Sequence, residues 1–222
     1  MIIPTGSGDG VPVDLARGCL PFRFAPSCFA PESCVAVPPM VHFVWIGSAL
    51  PAKYRATIAQ IAEDNPSHSC VTWSAPPFEL QNQDLYDAET NLGAKADILR
   101  YELVHRYGGI YLDVDHISHG PGSLHSDMCR PFVQVSGEPW CNTTNSDFGF
   151  AAGSEFLRYV IYNLRDPRVR AQREIPARTG PTFFTTCVVS FGDPRIVHPN
   201  GRALLRLLEH TGDHNWREPP CA

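Results

Sequence analysis

The chain has 222 residues, 18% of them charged, and a formal net charge of −5. That length fits one domain with at most an appendage, and the composition is that of a soluble globular protein. The mild negative balance argues against a broad nucleic-acid surface, no apolar run reaches membrane-spanning length, and the N-terminus lacks the basic and apolar regions of a secretory signal.

A cytoplasmic protein is therefore expected, with export by a route independent of a signal peptide left open. The eight cysteines include no C-x-x-C pair. This argues against a zinc ribbon and for mostly free thiols, with a bridge among Cys19, Cys28 and Cys34 as the lesser alternative. Residues 1–38 are rich in Pro, Gly, Ser and Cys without periodicity and read as an irregular extension; residues 39–222 read as the folded domain.

Residues 41–47 form an apolar run stopped by Gly47, a buried strand. Pro51 opens a helix to about Ala62, Asn65-Pro66 breaks it, and residues 70–73 form a second strand. This β-α-β order starts an α/β sheet. Residues 78–93 are polar and poorly periodic. Residues 94–107 predict a helix with Ala96, Leu99, Leu103 and Tyr107 on one stripe. Asp97 and Arg100, three apart on it, are surface neighbours; as an exposed pair they contribute only a few tenths of a kcal/mol.

Gly108-Gly109 closes that helix and leads into Ile110-Tyr111-Leu112-Asp113-Val114-Asp115. The apolar residues predict a strand, on which Asp113 and Asp115 share a face. Paired like charges call for a counter-charge, and a hard Mg²⁺ or Mn²⁺ supplies one while keeping places open for a phosphate. A bare D-x-D also reads as an acidic turn ending a strand.

Residues 116–122 predict a loop in which His116 and His119 make a weak H-x-x-H metal pair. Residues 131–136 and 148–152 are strand-like, 155–164 helical, and 165–180 an Arg-rich loop. Residues 182–191 fit either strand or helix. Residues 196–197 suggest a short edge strand, and 201–210 a Leu-rich helix. A closing loop sets the metal-capable His214 beside Trp216.

Three segments, His42-Phe43-Val44-Trp45-Ile46-Gly47, Ala96-Asp97-Ile98-Leu99-Arg100-Tyr101 and Tyr107 through Asp115, resemble in order and spacing the DXD-containing sugar transferases of the mannosyltransferase type. The glucosyltransferase domains of the large clostridial toxins carry similar motifs. The resemblance is strong over residues 39–115 and weaker at 148–152, Thr179-Gly180-Pro181 and His214-x-Trp216. It implies a GT-A fold, a Rossmann-like α/β sheet that binds a nucleotide-sugar, and transfer with retention at the anomeric carbon. Val44 and Trp45 would hold the base, Asp97 and Arg100 the donor sugar and phosphate, and Tyr111 the nucleotide. Asp113 would contact sugar or ribose and help hold the ion, with Asp115 its direct ligand. His214 and Trp216 would complete the ion and diphosphate site. The implied cofactor is Mn²⁺ or Mg²⁺. The implied partners are a nucleotide-sugar, UDP-linked by preference with GDP-mannose as the alternative, and a glycan, lipid-linked or protein acceptor, as in polysaccharide biosynthesis.

Two departures stand out. Ala96 occupies a position where the family often has Ser, and the expected Asn before residue 148 is matched by Asp147 or Asn145. Two other readings remain. One is a nucleotide-sugar-binding module without turnover. The other is a HAD-type phosphatase with Asp113 as nucleophile and Asp115 as general acid, for which Phe191-Gly192-Asp193 supplies half of the second acidic motif.

Overall fold

A computed structural model describes residues 2–3, 13–14, 30–32, 35–124, 130–135, 143–196 and 208–212. Its framework is a five-stranded mixed sheet. Strand β3 (Met40–Val44) lies between β4 (Ser69–Trp73) and β5 (Gly109–Leu112), parallel to both. Beyond β5 come β8 (Thr143–Phe150) and then β7 (Phe132–Val135), both in antiparallel pairings, giving the order β4-β3-β5-β8-β7. Helix α1 (Ala52–Asp64) makes the crossover from β3 to β4, as the β-α-β pattern predicts. A separate two-residue pairing joins β1 (Ile2–Ile3) to β2 (Val13–Asp14).

The period-2 alternation of the strands divides the core between the two sheet faces. Val41, Phe43, Ile110 and Leu112 pack with Tyr54 and Ile61 of α1. Tyr111, Phe148 and Phe150 face the other way, toward three helices: α3 (Leu92–Tyr107), α4 (Glu155–Asn163) and α7 (Pro181–Phe191). Helix α3 is buried without interruption from Asp97 to Val104, so Asp97 and Arg100 are interior residues rather than an exposed surface pair. Among the described residues, the extension meets this core at Val37 and Glu32. Val37 is buried, and the Glu32 carboxylate accepts hydrogen bonds from Ser154 Oγ (2.7 Å) and Phe156 N (2.8 Å) at the start of α4.

The Gly108-Gly109 turn controls how β5 leaves α3. Gly108 caps the helix with φ +68°, its N–H returning to Val104 O, and Gly109 has φ +107°. A Cβ on Gly109 would lie 2.5 Å from Met40 O, a backbone atom of β3. The turn is also held from beside. His42 Nε2–H donates to Gly108 O (2.8 Å), and His42 Nδ1 accepts from Trp73 Nε1–H (3.1 Å), an assignment that places the proton on Nε2. Burial lowers the His42 pKa, keeping the ring neutral.

Several local expectations change. Strand β5 stops at Leu112, and Asp113 to Asp115 form a turn, so the two acids do not alternate on a strand face. Residues 83–88 form a short helix, α2 (Gln83–Ala88), and the Arg-rich loop contains α5 (Pro167–Arg170) and α6 (Ile175–Arg178), each with an early proline. Residues 182–191 belong to α7, whose burial on nearly all sides blurs the helical pattern. Pro181 starts it and Gly192, at φ +73°, ends it. The edge strand expected at 196 is a 3₁₀ turn (Pro194–Ile196). Residues 116–118 are strand β6 (His116–Ser118), and 208–210, expected to be helical, are strand β9 (Leu208–His210); the two pair antiparallel. Cys70 and Cys187 are free thiols; the other six cysteines lie outside the described residues. Among the described residues no helix is long and apolar enough to cross a membrane.

Candidate donor-binding site

The C-terminal ends of β3 and β5 open into a cleft of about 230 Å³ lined by Val44, Trp45, Ala96, Arg100, Tyr111, Asp113, Asp115 and His210, among others. Ligands bind at such strand ends in open α/β sheets. The cleft brings together the predicted Val44, Trp45, Arg100, Tyr111, Asp113 and Asp115, with Asp97 immediately behind it. His214 and Trp216 lie outside the described residues.

Arg100 is the hub. Its guanidinium donates to Asn145 O (2.7 Å), pairs with Asp113 Oδ1 (3.1 Å) and Asp97 Oδ1 (3.2 Å), and lies 4.4 Å from the centre of the Tyr111 ring. Burial opposes its charge, but Asp113, Tyr111 and Asp97 outweigh burial and raise its pKa, so it is a permanent cation. Asp97 also accepts from Thr179 Oγ1 (2.8 Å) and Asn145 Nδ2 (2.8 Å). Burial lifts its carboxyl above the usual range, against the pull of Arg100 and Thr179. Tyr101 completes the support, donating to Thr179 O (2.7 Å) and accepting from Asn145 Nδ2 (2.9 Å). The weakly matching Thr179 and Asn145 thus act behind Asp97, holding its orientation.

The two acids of the D-x-D are placed differently. Asp113 Oδ1 accepts from Tyr111 Oη (2.7 Å) as well as from Arg100, and the side chain remains partly exposed to the cleft. Asp115 is buried, with Oδ1 3.1 Å from His210 Nε2. Its carbonyl accepts from Thr211 N and Thr211 Oγ1, both at 3.1 Å, which ties the residues after β9 to the turn. Burial opposes protonation of His210, but Asp115, Asp113 and Asp147 together raise its pKa.

His116 and His210 are directly opposite in the β6–β9 pairing, their rings stacked 4.8 Å apart and 13° from parallel. With Asp115 they are a group of potential ion ligands whose donor atoms all lie within 4.8 Å of one another. His119 is not part of it; that ring is exposed and pairs with Glu209 (2.9 Å). Within the site, the carboxylates of Asp97, Asp113, Asp115 and Asp147 outnumber the guanidinium of Arg100, so the donor set fits a bound cation. His210 has no ligand signal in the sequence beyond being a histidine, because its placement depends on a strand pairing 94 positions distant from His116.

On the opposite wall, the partly exposed Trp45 packs at a tilt on Tyr54 (5.2 Å) and donates from Nε1 to Ser48 Oγ (3.1 Å). Ala96 and Leu92 give this side an apolar floor. Asp193, which the phosphatase reading needs near the D-x-D, instead accepts from Arg195 (2.8 Å) and Glu32 N (3.2 Å).

Similarity to known proteins covers part of this site. Residues 51–129 match the model of the glycosyltransferase sugar-binding region containing DXD motif. Inositol phosphoceramide mannosyltransferase 3 of Schizosaccharomyces pombe is 27% identical over 165 residues, 68% of this chain and 44% of that protein. Subversion of eukaryotic traffic protein A of Legionella pneumophila is 25% identical over 136 residues, 48% of this chain and 21% of that protein. The chain therefore spans less than half the length of either relative. The solved PaToxG glycosyltransferase superposes with a TM-score of 0.58 at 17% identity, covering 73% of this chain and 72% of that one, which shows a shared α/β fold. Residues 51–129, which include Asp97, Arg100, Tyr111, Asp113 and Asp115, are thus similar to the glycosyltransferase sugar-binding region containing the DXD motif.

Proposed function

We infer that the protein is a metal-assisted glycosyltransferase that takes a sugar from a nucleotide-sugar. The observation that carries this reading is the convergence on one cleft of Trp45, the Asp97–Arg100–Asp113 network and the Asp115 group. Trp45 offers the aromatic face on which a base stacks. Arg100, fixed by three oxygen partners, directs positive charge at the cleft without needing to reorganise. Tyr111 and Arg100 orient Asp113 so that its second oxygen is available to a sugar or ribose hydroxyl, and Asp97 is held behind by Thr179 and Asn145. Asp115 and His210 would hold the divalent cation, which when bound stabilises the negative charge developing on the leaving diphosphate. Transfer with retention of configuration belongs to this reading, with the anomeric form of the product as its readout.

The donor is proposed to be a UDP-sugar, with GDP-mannose as the second candidate. The named activity of the Schizosaccharomyces pombe relative adds inositol phosphoceramide to the acceptors worth testing, beside glycans and peptides. The test is a nucleotide-sugar panel with Mn²⁺ or Mg²⁺, read by released nucleotide and by product mass. Turnover of at least one donor, lost with chelator and in Asp115→Ala, is expected. Full activity of Asp115→Ala would remove Asp115 from the site, and absence of both binding and hydrolysis across the panel would defeat the reading for those donors.

A further inference from the structure

The five-stranded sheet ends at β4, and the C-terminus of α3 reaches this edge. Here Trp73 of β4, Phe78 of the following loop and Tyr107 of α3 form a row of partly exposed rings. Trp73 and Tyr107 stack 5.8 Å apart and 3° from parallel, and Phe78 meets Tyr107 edge-on at 5.7 Å. Apolar surface gathered in one strip marks a contact site, where the same rings scattered singly would not. At Phe78 the row opens into a second cavity of about 290 Å³, lined also by Glu79, Gln81, Glu102, His105 and Arg106. This cavity shares no residue with the donor cleft. Along α3, Arg106 lies roughly 15 Å from Ala96 of the cleft, at about 1.5 Å of rise per residue.

One polar group of the cavity is committed and the others are not. Glu102 is buried, and its two oxygens accept from Gln81 N (3.1 Å) and Asn82 N (2.9 Å), which holds this wall of the cavity against α3. The side chains of Glu79, Gln81 and His105 make no hydrogen bond among the described residues, and the Arg106 guanidinium lies 5.8 Å from the Phe78 ring centre. Burial and Arg158 lower the His105 pKa, so at neutral pH its ring offers one donor and one acceptor. An anion here would meet the carboxylates of Glu79 and Glu102 against one guanidinium. A cation would meet Arg106 over the Phe78 ring. A neutral polyhydroxylated ring suits both halves of the lining: its hydroxyls serve the free donors and acceptors, and its C–H face rests on the electron-rich aromatic face. We propose that this cavity and the aromatic row bind a neutral oligosaccharide, at a site separate from the donor cleft and independent of turnover there.

The test is saturation-transfer NMR on the intact chain with maltotetraose, mannotetraose and chitotetraose, with and without UDP and Mn²⁺. The tightest binder is then titrated against wild type, Phe78→Ala, Arg106→Gln and Trp45→Ala. At least one tetrasaccharide should bind and should not be displaced by UDP. Its Kd should rise about fivefold or more in Phe78→Ala, which removes an aromatic face, and in Arg106→Gln, which removes a charged donor. It should be unchanged in Trp45→Ala. Absence of saturation transfer from all three sugars, or a Kd that neither Phe78→Ala nor Arg106→Gln raises, overturns the proposal. Displacement by UDP, or loss of binding in Trp45→Ala, assigns the sugar to the donor cleft and also overturns it. Phe78 packs partly on the core, whereas Arg106 is exposed, so Arg106→Gln decides the question even if Phe78→Ala fails to fold. A tetrasaccharide still held here by a chain inert toward every nucleotide-sugar would defeat the transferase reading and leave this site in place.

Discussion

Replacing Arg100 by Met tests whether the site network is also a structural one. The change removes a buried guanidinium that satisfies Asn145 O, Asp97 and Asp113 together. Asp113 is partly exposed and keeps Tyr111 Oη, so little of the cost falls there. Asp97 is 6% exposed and is left with only the neutral donors Thr179 and Asn145, while the Asn145 carbonyl loses its charged donor. Breaking a buried pair on one side costs about 3–5 kcal/mol, a large share of the roughly 5–15 kcal/mol that holds a domain together. Urea unfolding of wild type, Arg100→Met, Asp97→Asn and the double variant gives the coupling as a double-mutant cycle. The double variant should be more stable than the sum of the singles by at least about 1 kcal/mol, because the neutral amide introduced by Asp97→Asn has no charge to leave unpaired. A cost for Arg100→Met below about 1 kcal/mol, or strict additivity of the two changes, would refute the argument that Asp97 depends on this cation.

Three further outcomes follow from named contacts. Trp45→Ala should raise the dissociation constant for the donor or its nucleotide by about 5- to 150-fold, the equivalent of about 1–3 kcal/mol of lost stacking; titration calorimetry reads it, and stability should change little because the ring is partly exposed. Gly109→Ala combines a φ of +107° with a Cβ 2.5 Å from Met40 O. It should lower stability by more than the roughly 1–3 kcal/mol of backbone strain alone, seen as a fall in the thermal midpoint. His42 should make the fold acid-sensitive. Its folded pKa lies below the ordinary 6.5, so its contribution is complete above that value and is lost as pH falls from there toward the folded pKa. Protonation would place a second N–H against Trp73 Nε1–H. Urea midpoints between about pH 8 and pH 5 should decline less steeply in His42→Phe than in wild type.

The chain's first half can be read because its signals are local. The apolar run of β3, the proline opening α1 and the Gly-Gly exit from α3 each depend on a few adjacent residues, and the structure reproduces their order. The burial of Asp97 and Arg100 is not visible in the same way. A pair spaced three apart looks alike on an exposed helix and on one enclosed by β8, α4 and α7. Those covering elements come later in the chain, and the pair's partners Asn145 and Thr179 arrive 45 and 82 positions away. Helix α7 is ambiguous in sequence for the complementary reason: a helix buried nearly all round loses its polar face, and with it the period that distinguishes helix from strand.

The histidines show how a wrong element assignment changes a ligand prediction. In a loop, His116 and His119 can turn toward one ion, and the H-x-x-H spacing has meaning. On a strand, residues three apart point to opposite faces. Strand β6 spans His116–Ser118 and His119 lies just past it; His116 turns inward against Asp113 O, and His119 reaches outward to Glu209. Strand geometry specifies instead which side chain can lie beside His116. A side chain directly across an antiparallel pairing lies about 4.5–5.5 Å away at Cβ. The residue across from His116 is His210. The Leu-rich composition of residues 201–210 obscures this by suggesting a helix, which would carry His210 away from the turn. Pairing to β6, together with the two Thr211 bonds to Asp115 O, instead makes the D-x-D turn and β9 a single local unit. Any change that separates β9 from β6 should therefore remove His210 from Asp115 and weaken ion binding, while the Arg100 network, anchored on α3, β8 and Thr179, stays in place.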